Sequence, residues 1–122
     1  MRLDGKAMLI TGAGSGIGRA LAVACAKQGA RLLLVGRRVG KLEETRALLP
    51  SAELGTILRA DVTQGPDRQA IRQTITDNFG RLDVLVNNAG VPCVGPLRDT
   101  GDDELQCLLA TNLLAPMALT RD

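Results

Sequence analysis

The chain of 122 residues has no histidine, no tryptophan and no tyrosine, and its one aromatic residue is Phe79. Stacking platforms for nucleic-acid bases are therefore missing. Fifteen basic against thirteen acidic residues, with no clustered basic stripe, add nothing to attract phosphodiester chains. No nucleic-acid partner is expected. Three cysteines, Cys25, Cys93 and Cys107, are an odd number without metal-ligand spacing, and no histidine stands by to complete a site. They read as reduced and structural, with Cys25 a small hydrophobe inside a helix, and no metal is expected. Long apolar runs are also missing. The longest uncharged stretch, Leu105 to Thr120, contains Gln106, Asn112 and Pro116 and falls short of the ~18 apolar residues of a membrane span. The apolar part of "MRLDGKAMLI" is too short for a secretory signal. The expectation is a soluble, cytoplasmic chain with no membrane partner.

What is present is ordinary globular material, 45% hydrophobic and 23% charged, about one domain long. Within it stands one unusual stretch, "LITGAGSGIGRALA", with glycines at 12, 14, 16 and 18 between an apolar run and a helical pattern. Glycine tolerates positive φ and lets another molecule come close to the main chain. Between a strand and a helix, such a loop leaves the first helical N–H groups pointing outward at the positive end of the helix dipole, which makes an anion site suited to phosphate. The dinucleotide pattern GxGxxG does not fit, because Ile17 stands where its third glycine belongs. The pattern that fits is TGxxxGIG, Thr11 to Gly18.

Short apolar runs alternate with amphipathic ones, without repeats or linkers. Strands are expected over Ala7–Ile10, Arg31–Val35, Thr56–Ala60 and Leu82–Val86, nearly continuous in apolar character as for parallel strands covered on both faces. Helices are expected over Gly16–Gln28, Val39–Leu49 and Pro66–Phe79, ending at Gly29, Pro50 and Gly80. The third carries Ala70, Ile71, Ile75, Asn78 and Phe79 along one side. Right-handed crossovers then give an α/β, doubly wound parallel sheet of order 3-2-1-4 with helices on both faces, and a ligand crevice at the carboxyl ends of strands one and four.

Those ends carry the glycine loop, "VGRR", "DV" and "NNAG". An acidic residue closing the second strand would accept bonds from an adenosine ribose 2′-OH. Here Gly36 is followed by Arg37 and Arg38, which suit a 2′-phosphate. The plainer reading makes both arginines solvated charges opening the next helix. NADP is the expected cofactor, with NAD the alternative.

Together "TGAGSGIG" (11 to 18), "DV" (61 and 62), "NNAG" (87 to 90) and Asn112 in "TNLLAP" stand in the order and rough spacing of the short-chain dehydrogenase/reductase family of the simpler type, which the whole chain resembles. The resemblance implies a Rossmann-like fold and an NAD(P)-dependent oxidoreductase moving hydride between the nicotinamide and a small-molecule carbonyl or alcohol. It implies Gly12, Ser15, Gly16, Ile17 and Gly18 at the pyrophosphate, Asp61 and Val62 at adenine, and Asn88, Ala89 and Gly90 along the adenosine ribose. Asn87 is expected to tie strands together, and Thr11 to make a structural hydrogen bond at a strand end. By the same resemblance Asn112 is the one catalytic residue of the family that this chain supplies. Pro116, four residues on, denies its carbonyl a helical partner, and by resemblance an ordered water there belongs to a proton relay.

Thr100 and Asp103 form a capping-box pattern opening that helix, which reaches past Leu119. Its Leu105, Cys107, Leu108, Leu109, Leu113, Leu114, Met117 and Leu119 wrap most of its circumference, so it should be buried on several sides. In the family it often packs against another subunit, which implies a homo-oligomer. The family's tyrosine, lysine and serine follow this helix, and the chain contains no tyrosine. Residues 1–122 therefore read as the N-terminal, cofactor-binding half of one domain whose catalytic half lies in a longer parent. The alternative is a short non-catalytic nucleotide-binding or partner-binding module.

Overall fold

The computed structural model describes residues 2–122. Four parallel strands, β1 (Ala7–Thr11), β2 (Arg31–Gly36), β3 (Gly55–Arg59) and β4 (Val84–Val86), pair in the order β3-β2-β1-β4. Leu9 stands in register with Leu33 of β2 and Leu85 of β4. Because successive strand side chains point to opposite faces, the dense "MLI" and "LLLV" runs supply two cores at once. Met8, Ile10, Leu32 and Leu34 pack with Ala22, Cys25 and Ala26 of α1 (Gly16–Ala26) and Leu42 of α2 (Val39–Ala47). Leu9, Leu33 and Val35 pack with Ile71 of α3 (Gly65–Asn78) and with Ala115 and Leu119 near the C-terminus. Leu33 is fully buried, and truncating such a residue to alanine costs about 2–5 kcal/mol.

The element ends depart from expectation for identifiable reasons. β4 begins at Val84, not Leu82. Just before it, the Asp83 carboxylate accepts the Ala7 N–H at 2.9 Å and pairs with Arg81, and Lys6 lies 3.7 Å away. This clamp occupies the chain as it enters the sheet, and Leu82 is left exposed. α1 stops at Ala26 because Gly29, at φ +81°, turns the chain and donates its N–H to the Ala26 carbonyl. α2 likewise closes at Ala47, short of Leu49, and β3 runs one residue earlier than expected. On α3 Ile71 is buried, with Ile75 and, just past the helix, Phe79 half-buried on the same side, while Ala70 and Asn78 are exposed. Phe79 also carries the Arg31 guanidinium 4.9 Å above its ring.

The last helix is not capped by Thr100. Its N-cap is Gly101, and the Thr100 hydroxyl instead faces the Pro96 carbonyl at 3.5 Å. Asp102, Asp103 and Glu104 in the first turn of α4 (Asp102–Leu109) complement the helix dipole instead. The helix widens into a π segment over Ala110–Leu114, closed by the Ala115 N–H on the Ala110 carbonyl, and continues as α5 (Ala115–Arg121) with Pro116 in its first turn. A widened turn at this place accommodates a residue that has no N–H to give. Within these residues the helix buries Ala115 and Leu119 but exposes Leu109, Leu113, Leu114 and Met117. β4 pairs only with β1, so its outer edge is open. No helix among the described residues is long and apolar enough to cross a membrane.

Candidate functional site

β1 runs into α1 through a turn whose glycines do separate jobs. Gly16 opens the helix at φ +53°, a conformation that side chains disfavour. A Cβ built there meets no protein atom within 4 Å, so the space over this backbone is open. Ser15, the N-cap, makes no side-chain bond to the helix, no acidic residue lies in the first turn, and the Arg19 N–H on the Ser15 carbonyl at 3.2 Å follows the turn. The first N–H groups of α1 thus have no partner within the helix. A cavity of about 540 Å³ opens over them.

The four strand ends meet at this cavity. Gly12, Ser15, Gly16 and Ile17 line it from the loop, Arg37 and Arg38 from the end of β2, Asp61 and Val62 after β3, and Asn88, Ala89 and Gly90 after β4. Ile17 is 79% exposed, an apolar side chain held at the opening. A bare backbone, free N–H groups and an apolar rim fit the phosphates and rings of a dinucleotide.

Two expected site residues stand elsewhere. Gly18 does not line the cavity: a Cβ on it would drive into the Gly12 carbonyl oxygen and approach Asn88 Nδ2 at 2.6 Å. This glycine lets α1 pack against the loop, which is a structural task. Asn112 is also outside the lining. Its side-chain amide donates to the Val91 carbonyl and accepts the Val91 N–H, both at 2.8 Å, pinning the segment after Gly90 as a neighbouring strand would.

Of the two asparagines of "NNAG", the strand-tying part expected of Asn87 falls to Asn88, which also lines the cavity. Asn88 ties the strands, donating Nδ2 to the Thr11 and Gly12 carbonyls at 3.1 and 3.2 Å, whereas Asn87 is exposed and reaches Thr120 at 3.3 Å. Thr11 is buried, as a structural residue should be. Its hydroxyl donates to the Val86 carbonyl and accepts the Asn88 and Ala89 N–H groups at 3.0 and 2.9 Å. The cysteines divide likewise. Cys25 is buried, and burial raises its thiol pKa, but Cys93 and Cys107 are exposed and Cys107 lines the cavity rather than a core. No group of metal-ligating side chains occurs among the described residues.

The electrostatics favour an anion at the β2 end. Arg37 and Arg38 are exposed, and among the described residues neither forms an ion pair. Arg38 stands at the N-cap position of α2 without a side-chain cap bond, as the plainer reading of solvated charges opening that helix expects. Asp61 is held below the ordinary carboxylate range, first by the Thr63 hydroxyl at 2.7 Å and the Thr63 N–H, with the charges of Arg37 and Arg59 adding.

The sequence reading missed a polar brace behind the loop. Arg19 donates to Thr45 Oγ1 at 3.0 Å, to the Gly14 and Lys41 carbonyls at 2.6 and 3.2 Å, and to Glu44 at 2.8 Å, and the buried Thr45 hydroxyl donates to the Ala13 carbonyl at 2.8 Å. Lys41, which lines the cavity, pairs with the same Glu44 at 3.1 Å. The i,i+3 spacing of Lys41 and Glu44 was the only signal available.

The chain matches the family model described as short chain dehydrogenase over residues 6–122. It is 36% identical over 122 residues to an uncharacterized oxidoreductase of Thermotoga maritima, covering 99% of this chain and 48% of that protein. It is 37% identical to an NADP-dependent 3-hydroxy acid dehydrogenase of Schizosaccharomyces pombe, over 98% of this chain and 48% of that one. A crystal structure of a metagenomic short-chain oxidoreductase in complex with NADP superposes with a TM-score of 0.89 at 36% identity, over 99% of this chain and 56% of that one. The chain therefore spans about half the length of the curated relatives it matches.

Proposed function

The chain belongs to the short-chain dehydrogenase family, and from that premise we propose that it is the N-terminal, cofactor-binding half of an NADP(H)-dependent reductase or dehydrogenase acting on a small carbonyl or alcohol. The observation that carries this reading is one cavity to which all four strand ends contribute, with open backbone at Gly16 on one side and, on the other, Arg37 and Arg38, which form no ion pair among the described residues. When bound, the nicotinamide supplies or accepts hydride.

The residues of this chain bind and orient. The loop from Gly12 to Ile17 receives the pyrophosphate at the helix N-terminus through its free N–H groups, that of Ala13 being held by the Val35 carbonyl at 3.1 Å. Arg37 and Arg38 hold the 2′-phosphate, with Gly36 in place of the carboxylate that would repel it. Asp61 and Val62 meet adenine, and Asn88, Ala89 and Gly90 flank the ribose. Asn112 fixes the segment after Gly90 through Val91, and its carbonyl, which Pro116 leaves without an α-helical donor, holds the water of a proton relay. Two similar proteins support the choice of NADP, the S. pombe relative by its name and the metagenomic structure by its bound NADP.

No tyrosine is present to protonate the substrate oxygen, so residues 1–122 alone turn over no carbonyl substrate. The parent works in the cytoplasm as a homo-oligomer, without nucleic-acid or membrane partners. Titrating the full-length parent with both nucleotides tests the reading. Arg37→Ala should weaken NADPH about tenfold to a hundredfold, as for a charge-assisted hydrogen bond, with little effect on NADH. An unchanged preference refutes the assignment.

A further inference from the structure

Lys41 and Glu44 form a pair beside the proposed 2′-phosphate site that no part of the cofactor reading uses. Lys41 lines the same cavity as Arg37 and Arg38, while its ammonium lies 3.1 and 3.2 Å from the two Glu44 oxygens. Glu44 does not depend on that contact, because Arg19 also holds it at 2.8 Å. Arg19 cannot be the mobile partner: its Nε is on Thr45 and its Nη2 on the Gly14 and Lys41 carbonyls. Lys41 is on a flexible stem with its side chain 42% exposed, and it can leave Glu44 without orphaning a carboxylate.

We propose that Lys41 is a third cationic contact for the cofactor's 2′-phosphate and that Glu44 competes for it, making Glu44 the residue that sets the strength of NADP over NAD discrimination. The proposal rests on the cofactor reading above. With Glu44 present, phosphate binding must first draw Lys41 from an existing ion pair, so part of the attraction is offset. Because the pair is exposed, the offset is modest.

The experiment measures NADPH and NADH affinity by fluorescence titration of the full-length parent, its Glu44→Gln and Lys41→Ala variants, and the double variant, with apo thermal midpoints as a check on folding. Glu44→Gln should tighten NADPH about two- to fivefold, the scale of an exposed ion pair, and leave NADH unchanged. Lys41→Ala should weaken NADPH, and Glu44→Gln should add nothing in the Lys41→Ala background. Equal tightening of both nucleotides, persistence of the Glu44→Gln effect without Lys41, or no effect of Glu44→Gln on a wild-type parent that binds NADPH each overturns the proposal alone. A parent that binds neither nucleotide overturns the cofactor reading as well.

Discussion

Gly16 and Gly18 stand two residues apart in one motif, yet alanine at each should fail differently. At Gly18 the new Cβ strikes the Gly12 carbonyl and sits 2.6 Å from Asn88 Nδ2, so either α1 shifts or Asn88 gives up its bonds to the Thr11 and Gly12 carbonyls. Overpacking costs about 1–3 kcal/mol, and each lost bond about 0.5–1.5 kcal/mol. Alanine returns about 0.8–1.0 kcal/mol of helix propensity. On either route the net expectation is a loss of about 1 kcal/mol in the apo protein. At Gly16 nothing is struck, and the positive φ costs about 1–2 kcal/mol. There the injury should fall on the ligand, since the Cβ projects into the open space over the backbone proposed to bind phosphate. Urea unfolding of the full-length parent and both variants, with m unchanged, measures the stability difference directly, and nucleotide titration measures the other. If Gly18→Ala unfolds at the wild-type urea midpoint, the packing role assigned to this glycine is wrong.

Asn112→Ala removes both hydrogen bonds to Val91, and because they are exposed the loss should be about 0.5–1.5 kcal/mol for each at most. Amide exchange should show faster opening at Val91, with Asn112→Asp restoring only the accepting half. Asp61 has a folded pKa below its unfolded one, so its contribution is fully present above the ordinary aspartate value of about 3.9 and fades as pH falls through the lower folded value. Asp61→Asn should flatten the acid limb of the stability curve below about pH 4 while leaving its shape at neutral pH unchanged, and a limb equally steep in the variant rejects this. Residues 1–122 expressed alone should self-associate, because Leu109, Leu113, Leu114 and Met117 and the β4 edge are uncovered. Sedimentation of a stable monomer would count against that.

The sheet order was legible because it depends on local signals that agree. The dense runs at 7–10 and 31–35 demand burial on both faces, Gly29 and Gly80 mark helix ends, and alternation with helices leaves few right-handed windings. The site was legible to the extent that topology alone gathers strand ends: the loop, Arg37, Arg38, Asp61, Val62 and "NAG" of "NNAG" do share a cavity. The sequence could not separate residues of the same type. Asn87 and Asn88 differ only in which one faces Thr11 as the three-residue β4 ends, and Gly16 and Gly18 only in what lies within reach of a Cβ. Nor could it reveal that Arg19, 25 residues from Glu44, would brace the loop against α2, or that Thr100 would turn toward Pro96 and leave the helix uncapped. Propensity and periodicity act within a segment and can be read along the chain. Which polar group meets which partner depends on distances between segments, and those exist only once the two faces of the sheet are packed.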